Sequence, residues 1–232
     1  MNKKNINEHI AQFLNYYVSL PDSRYAVMLA GSWGCGKTFF IKKWKEQLEG
    51  KIKNEKIKIA NPIYVSLFGL SSLKELNEAI TREVYPILKS KIYKRGKQAL
   101  SAISKVTIKC DLPSIASSVS DGNPNEINLE LDLVSLFKTD SNNVQKNRII
   151  IFDDFERCKI DSVDMLGYIN QFVEHSNIRI IILCYEDEVP NKKEYDKFKE
   201  KLVGRTFHIE PDTMSAIEDF CQEPGINQLK LD

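Results

Sequence analysis

Residues 31–38 read Gly-Ser-Trp-Gly-Cys-Gly-Lys-Thr, a complete G-x-x-x-x-G-K-[ST] loop. The apolar run Tyr25–Ala30 precedes it, and a helix-like stretch from Phe39 follows. A strand, a glycine loop and a helix in that order restrict the chain to an α/β fold with a phosphate site at the strand's carboxyl end. Gly31, Gly34 and Gly36 let the backbone wrap a phosphate chain, because glycine tolerates positive φ and has no Cβ to block close approach. The loop amides and the helix N-terminus then point at negative charge. Ser32, Trp33, Cys35 and Phe39 complete the stretch expected to contact the nucleotide. Lys37 supplies a mobile cation for the β and γ phosphates, and the Thr38 hydroxyl can ligate Mg²⁺.

The rest of the chain alternates between the two periodicities. Ile6, Ile10, Phe13, Leu14 and Tyr17 lie at helical spacing over 6–18, ahead of Pro21-Asp22-Ser23. This predicts an amphipathic helix on the sheet, with Phe13 and Tyr17 packed against it and not stacked on a base. The helix after the phosphate loop is predicted to reach about Leu48, with Gly50 as its stop. Ile63–Phe68 is a second strand. Ser72 and Glu75 form a capping box before a helix carrying Leu73, Leu76, Ile80 and Val84, which Pro86 should kink or end. Arg148–Phe152 and Ile178–Cys184 are continuous apolar runs of the buried parallel type. Between them, Asp161 or Ser162 caps a helix through Met165, Ile169 and Phe172. Residues 191–203 read as a charged helix and Arg205–Ile209 as a last strand. After Pro211, Asp212 caps a helix over Thr213–Cys221. Five strands alternating with helices predict a mainly parallel five-stranded sheet with right-handed crossovers.

Residues 95–146 differ in texture. Val106, Ile108, Cys110 and Leu112 alternate with polar residues, as do Ile127, Leu129, Leu131 and Leu133. Both runs read as strands with one apolar face, so the region is expected to be an inserted two-stranded ribbon. A lone ribbon is marginal, so its apolar face must pack on its own domain or on a partner. The predicted organisation is one domain over 1–215, with 216–232 beginning a C-terminal helical region.

Charge sets limits on partners. The chain has 33 basic and 32 acidic residues, a formal net charge of +1. That balance gives no general attraction to nucleic acid or acidic membranes. The lysines Lys42, Lys43, Lys45, Lys51, Lys53, Lys56 and Lys58 are mixed with Glu46, Glu49 and Glu55, which reads as a solvated face. The five cysteines form no C-x-x-C pair and are odd in number, which argues against a disulfide framework or a zinc site. With no run of 18 apolar residues and no signal core, the expected location is cytoplasmic.

The chemistry-bearing residues cluster in a second motif. Asp153 ends the apolar strand of 149–152, the pattern of a Walker B acid that holds Mg²⁺ opposite Thr38. Asp154 is placed to orient or deprotonate an attacking water, which favours hydrolysis over simple binding. Its short side chain implies slow turnover. Arg157 could reach a neighbouring subunit's phosphate as an arginine finger, or pair within its own chain. Arg205 has a weaker claim to the finger role. Tyr185 or Glu186 falls where a γ-phosphate sensor would end its strand. Asn191-Lys192-Lys193-Glu194 lacks the Asp of a guanine-reading N-K-x-D, so GTP preference is not supported. His9, His175 and His208 stand apart from any nucleophile pattern.

With Trp33 inside GSWGCGKT and IIIFDDFERC at 149–158, the chain resembles the KAP family of P-loop NTPases. That family shows a W-G-x-G-K-[ST] loop and an apolar strand ending in D-D-x-[DE]-R. The resemblance covers roughly residues 1–215. It implies a three-layer P-loop NTPase sandwich of the additional-strand class, with the sensor strand between the two Walker strands. It also implies Mg²⁺-dependent ATP binding and hydrolysis, with Lys37 and Thr38 in the loop, Asp153 as the metal-binding acid and Asp154 as the catalytic acid. Bacterial members are regulators, some associated with phage exclusion. Many members carry transmembrane helices between the Walker motifs, where this chain has a polar ribbon. Members usually continue into a C-terminal helical region, so this chain's early end implies a fragment, or lid and finger residues from a partner. The leading expectation is an ATPase switch that meets a second copy or a protein partner through the insertion or the nucleotide face. A binding module with negligible turnover, a small-molecule kinase and a DNA-stimulated ATPase are the alternatives.

Overall fold

The computed structural model describes residues 6–54, 60–84, 148–175 and 178–212. In chain order these give α1 (Glu8–Ser19), β1 (Ala26–Ala30), α2 (Lys37–Lys53), β2 (Ile63–Ser66), α3 (Leu73–Val84), β3 (Ile149–Asp153), α4 (Ser162–His175), β4 (Arg179–Cys184), α5 (Lys192–Leu202) and β5 (Val203–His208). The five strands form one sheet in the order β2-β3-β4-β1-β5. Every pairing in it is parallel. β4 therefore separates β1 from β3, the arrangement expected of the additional-strand class. The predicted ribbon within 95–146, Pro86, the Thr213–Cys221 helix and the 216–232 region lie outside the described residues.

Side chains alternate across the sheet and build two cores. Val27, Leu29, Ile149, Ile151, Ile181 and Leu183 meet Ile10, Leu14 and Tyr17 of α1 and Ile41, Trp44 and Leu48 of α2. Met28, Ile150, Phe152, Ile180 and Ile182 meet Leu76 and Ile80 of α3, Ile169 and Phe172 of α4, and Tyr195 and Leu202 of α5. The result is three layers, as expected. Polar ties fix the first layer. The Tyr17 hydroxyl donates to the Tyr25 carbonyl at 2.8 Å and accepts from the Ile180 amide at 3.1 Å. The Trp44 indole donates to Asn15 at 3.2 Å, joining α2 to α1. Asn7 donates to the Glu210 carbonyl and accepts from its amide, clamping the start of α1 to the segment after β5. Phe13 packs on Phe207 with ring centroids 4.7 Å apart, so Phe13 and Tyr17 are packing residues, as expected.

Several local readings need correction. Ile6 is 47% exposed and lies before α1, so the buried stripe starts at Ile10. Gly50 does not stop α2. The helix continues to Lys53, and the Gly50 carbonyl accepts the Asn54 amide. The Ser72 hydroxyl takes the Glu75 amide as a capping box requires, but the Glu75 carboxylate returns to the Ser71 amide and hydroxyl. At α4 the cap is Asp161, which accepts from the amides of Val163 and Asp164. β5 starts at Val203, two residues before the expected Arg205, because it pairs along the whole of β1.

Candidate functional site

β1 ends at Ala30, which lies in register with Cys184 of β4 and His208 of β5. The phosphate loop leaves from this carboxyl edge. Gly34 and Gly36 take φ of 79° and 97°, the left-handed region that favours glycine. At Gly31 the constraint is space: an added Cβ would stand 2.6 Å from the Cys35 Sγ and 3.3 Å from the Ile209 carbonyl oxygen. Lys37 opens α2 and is buried, and its ammonium donates to the carbonyls of Gly31 at 2.6 Å and Ser32 at 3.1 Å. The cation is thus held within the loop that would take the phosphates.

Alternation along β3 decides which acid meets that loop. Asp153 has the parity of Ile149 and Ile151, whose side chains lie on the α1–α2 face. Its carboxylate, 1% exposed, accordingly reaches α2: Thr38 Oγ1 donates to Asp153 Oδ2 at 2.7 Å, across 115 positions of sequence. The Asp154 amide donates to Asp153 Oδ1 at 2.8 Å. A third donor was not read from the sequence: the Tyr64 hydroxyl on β2 reaches Asp153 Oδ2 at 2.5 Å. Burial and the adjacent Asp153 carboxylate hold the Tyr64 hydroxyl above the ordinary tyrosine range, so it stays a donor. The alternation of β2 was the available signal, since Tyr64 shares a face with neither Ile63 nor Val65.

Asp154 turns away from the strand. It is a non-glycine residue at φ 59°, ψ 42°, and its Oδ2 accepts from the Ser66 hydroxyl of β2 at 3.0 Å. Left-handed backbone outside glycine is uncommon and concentrates at functional sites. It redirects the chain into the 3₁₀ turn Phe155–Arg157.

That turn presents Glu156 and Arg157 to the phosphate loop. Glu156 Oε1 accepts from the Trp33 indole N–H at 2.8 Å, and Oε2 accepts from the Tyr185 amide at 3.0 Å. The Arg157 guanidinium lies over the rings of Trp33 and Phe68, 5.0 Å and 5.6 Å from their centroids. Its Nε is 4.0 Å from Glu156. Tyr185 faces the site too, its ring edge-on to Trp33 at 5.4 Å and 5.9 Å from the Lys37 ammonium. Glu186 does not. It accepts from Lys199 at 2.6 Å and Tyr195 at 3.3 Å, and so belongs to the α5 packing. Burial, with the charges of Glu156 and Glu186, pushes the Cys184 thiol up to about 12.

Other sequence candidates fall elsewhere. Arg205 is exposed and in register with Val27, three residues short of the carboxyl edge. Phe39 is half-exposed beside Lys43. Lys42, Lys43, Lys51 and Lys53 are exposed, as a solvated face requires, while Lys56 and Lys58 lie outside the described residues. Among the described residues, no group of three or more His, Cys, Asp or Glu gathers as a metal cluster, and no helix is long and apolar enough to cross a membrane.

Comparison with known proteins agrees with this architecture. The family model described as the KAP family P-loop domain matches residues 4–230, so the chain belongs to that family. No curated protein matches. Among solved structures, the chain is similar to the ORC2 protein of Aeropyrum pernix in an ADP form, at 15% identity and a TM-score of 0.54, covering 95% of this chain and 53% of that one. A second structure of the same protein, described as ADPNP-ADP complexes, gives 16% identity and a TM-score of 0.51, covering 90% of this chain and 48% of that one. This chain therefore spans about half the length of those structures, and the likeness shows the fold alone. A P-loop domain of this family binds nucleotide.

Proposed function

We propose that this KAP-family chain is a Mg²⁺-dependent ATP-binding and hydrolysing NTPase that works as a regulatory switch. The observation that carries the reading is the 2.7 Å contact of Thr38 Oγ1 with Asp153 Oδ2 at the carboxyl edge of a parallel sheet. It joins a loop hydroxyl and a strand-end acid at the one place where a nucleotide's phosphates would need both. The donors there are a hydroxyl and a carboxylate, which suit a hard cation that keeps most of its waters. Thr38 and Asp153 would hold Mg²⁺, and the ion when bound neutralises phosphate charge.

The chain's own residues supply the rest. The backbone over 31–39, from Gly31 through Ser32, Trp33, Gly34, Cys35 and Gly36 to Phe39, would cradle the phosphates. Lys37 would exchange the Gly31 and Ser32 carbonyls for phosphate oxygens. Asp154, held by Ser66, would orient the attacking water. Arg157 would contribute positive charge, to its own site or to a neighbour's in a homo-oligomer or partner complex. A switch fits because the site's walls, the loops after β2, β3 and β4, are the segments that nucleotide would order. The regulatory role and a place in anti-phage defence rest on the family resemblance, and the cytoplasmic setting on the cysteine pattern.

The test is phosphate release from ATP and from GTP with Mg²⁺, across protein concentrations, beside Lys37→Ala and Asp154→Ala. ATP turnover lost in both variants is the expected result, and a rise steeper than linear with protein would mean an oligomeric ATPase with a finger in trans. Normal turnover in Lys37→Ala would remove the basis of the proposal. Tight ATP binding with no turnover in either the wild type or Asp154→Ala would favour the binding-module reading.

A further inference from the structure

Among the described residues, the Glu156 carboxylate is a buried charge with no part in the phosphate and metal roles assigned above. The Glu156 side chain is 1% exposed. A carboxylate loses much of its hydration on burial and stays charged only where donors replace the water. Here the replacement donors come from two different elements. The Trp33 indole N–H belongs to the tip of the phosphate loop, and the Tyr185 amide to the residue after β4. Each carboxylate oxygen takes one of them. Trp33 itself is 51% exposed, so little packing fixes its indole in place. What holds it is the bond to Glu156, the edge-on Tyr185 ring and the Arg157 guanidinium stacked above.

The second ring beside the Arg157 guanidinium is that of Phe68, 64% exposed in the turn after β2. The Gly69 amide donates to the Arg157 carbonyl, and the Arg157 amide donates to the Asp154 carbonyl. Displacing Trp33 would strip a donor from a buried carboxylate, take one ring from the Arg157 guanidinium and load the backbone that carries Asp154. Trp33 thereby ties the tip of the phosphate loop to the turn after Asp154, in addition to the bond of Thr38 with Asp153.

We propose that Glu156 is a positioning residue: it braces the phosphate loop through Trp33 and couples that loop to the Arg157–Phe68 surface. The coupling rests on the nucleotide-binding reading given above; the brace does not. A bond of this kind strengthens nucleotide binding by keeping the loop in its binding shape before the phosphates arrive.

The experiment reads the bond from both ends. Trp33 emission is obtained as the difference between a protein and its Trp33→Phe counterpart, which cancels Trp44. Glu156→Ala should shift that emission to longer wavelength and make it more accessible to acrylamide. ADP affinity, by calorimetry, should fall about tenfold in Glu156→Ala and in Trp33→Phe, and the double variant should be no weaker than the worse single, because both remove the same bond. Trp33→Phe alters an exposed position, so its result stands even if Glu156→Ala melts early. Unchanged Trp33 emission in Glu156→Ala, or single effects that add in the double variant, would overturn the proposal. A wild-type chain that binds no ADP, while Trp33 emission still responds to Glu156→Ala, would overturn the nucleotide reading and the coupling but establish the brace.

Discussion

Replacing Asp153 by Asn separates the metal role proposed for this residue from its structural one. The carboxylate accepts three hydrogen bonds: from Thr38 Oγ1 at 2.7 Å, Tyr64 Oη at 2.5 Å and the Asp154 amide at 2.8 Å. The Asp154 amide can only donate, so the amide oxygen of Asn must face it. The Asn NH₂ then meets the hydroxyls of Thr38 and Tyr64, and both can turn round and accept. All three contacts survive. Bonds to a charged acceptor contribute about 1.5–3 kcal/mol and neutral ones about 1, so three weakened bonds lose roughly 2–3 kcal/mol. Removing a buried charge offsets part of that. The expected change is a Tm lower by at most about 12 °C, at 2–4 °C per kcal/mol for a domain of this size. Losing the metal carboxylate should by contrast remove several kcal/mol of charge stabilisation, at least about a hundredfold in Mg²⁺-ATP turnover. ATP binding in EDTA should stay within about threefold of wild type, because Lys37 and the loop amides are untouched. The assays are a thermal melt, phosphate release and nucleotide binding with and without Mg²⁺. Turnover within tenfold of wild type would refute the metal role, and a Tm loss well beyond about 12 °C would refute the hydrogen-bond argument.

Gly31→Ala should weaken nucleotide binding at least about tenfold, since its Cβ would stand 2.6 Å from the Cys35 Sγ. Adding Cys35→Ala should restore part of the loss by removing that atom, and a titration showing no rescue would contradict the steric account. Alkaline pH should destabilise the fold. Burial raises the Tyr17 hydroxyl from its ordinary 10.0 to about 12 and the Cys184 thiol from 9.0 to about 12. The folded state thus keeps protons that the unfolded chain releases, so this stability is complete below about pH 9 and is lost as pH rises toward 12. Each group costs about 1.4 kcal/mol per pH unit in that window. Equal Tm at pH 8.5 and 11 would contradict it. Tyr64→Phe should remove one donor from Asp153 without moving the Trp33 emission, because Tyr64 and Glu156 act on different parts of the site; a shifted emission spectrum would merge the two networks.

The sequence displayed the parts of this site that are contiguous. The glycine loop, and an apolar strand ending in two acids, are local patterns whose chemistry follows from residue type and spacing. Alternation along β3 even assigns the acids: Asp153 must fall on the face of Ile149 and Ile151, where α2 packs. What could not be read depends on which strands become neighbours. Tyr64 meets Asp153 because Ser66 pairs with Asp153, bringing β2 alongside β3. Glu156 stands in the D-D-x-[DE]-R pattern, but its partners were not legible, since neither Trp33 nor Tyr185 is near it in sequence. The boundary errors have local causes. Gly50 is tolerated inside α2 because Trp44 and Leu48 anchor that helix to the sheet. Ile6 is apolar but precedes the first helical turn.

Strand order ties these pieces into one device. Were β1 and β3 adjacent, the phosphate loop and the acid loop would leave from neighbouring strands, with nothing between them. Here β4 lies between, with Phe152 in register with Ile182 on one side and Ala30 with Cys184 on the other. Its carboxyl end therefore opens directly between the two motifs, and the next residue is Tyr185. The Tyr185 amide is thus a backbone donor that a side chain from the β3 loop reaches while also touching the tip of the β1 loop. Glu156 has the length to do both. The inserted strand thus does more than widen the sheet: it supplies the fixed point against which the acid loop holds the phosphate loop. A change at the end of β4 should accordingly be felt at Trp33. Tyr185→Pro, which deletes the amide donor outright, should loosen the indole nearly as much as Glu156→Ala. Trp33 emission left at its wild-type wavelength in that variant would show that the brace draws its rigidity from somewhere other than β4.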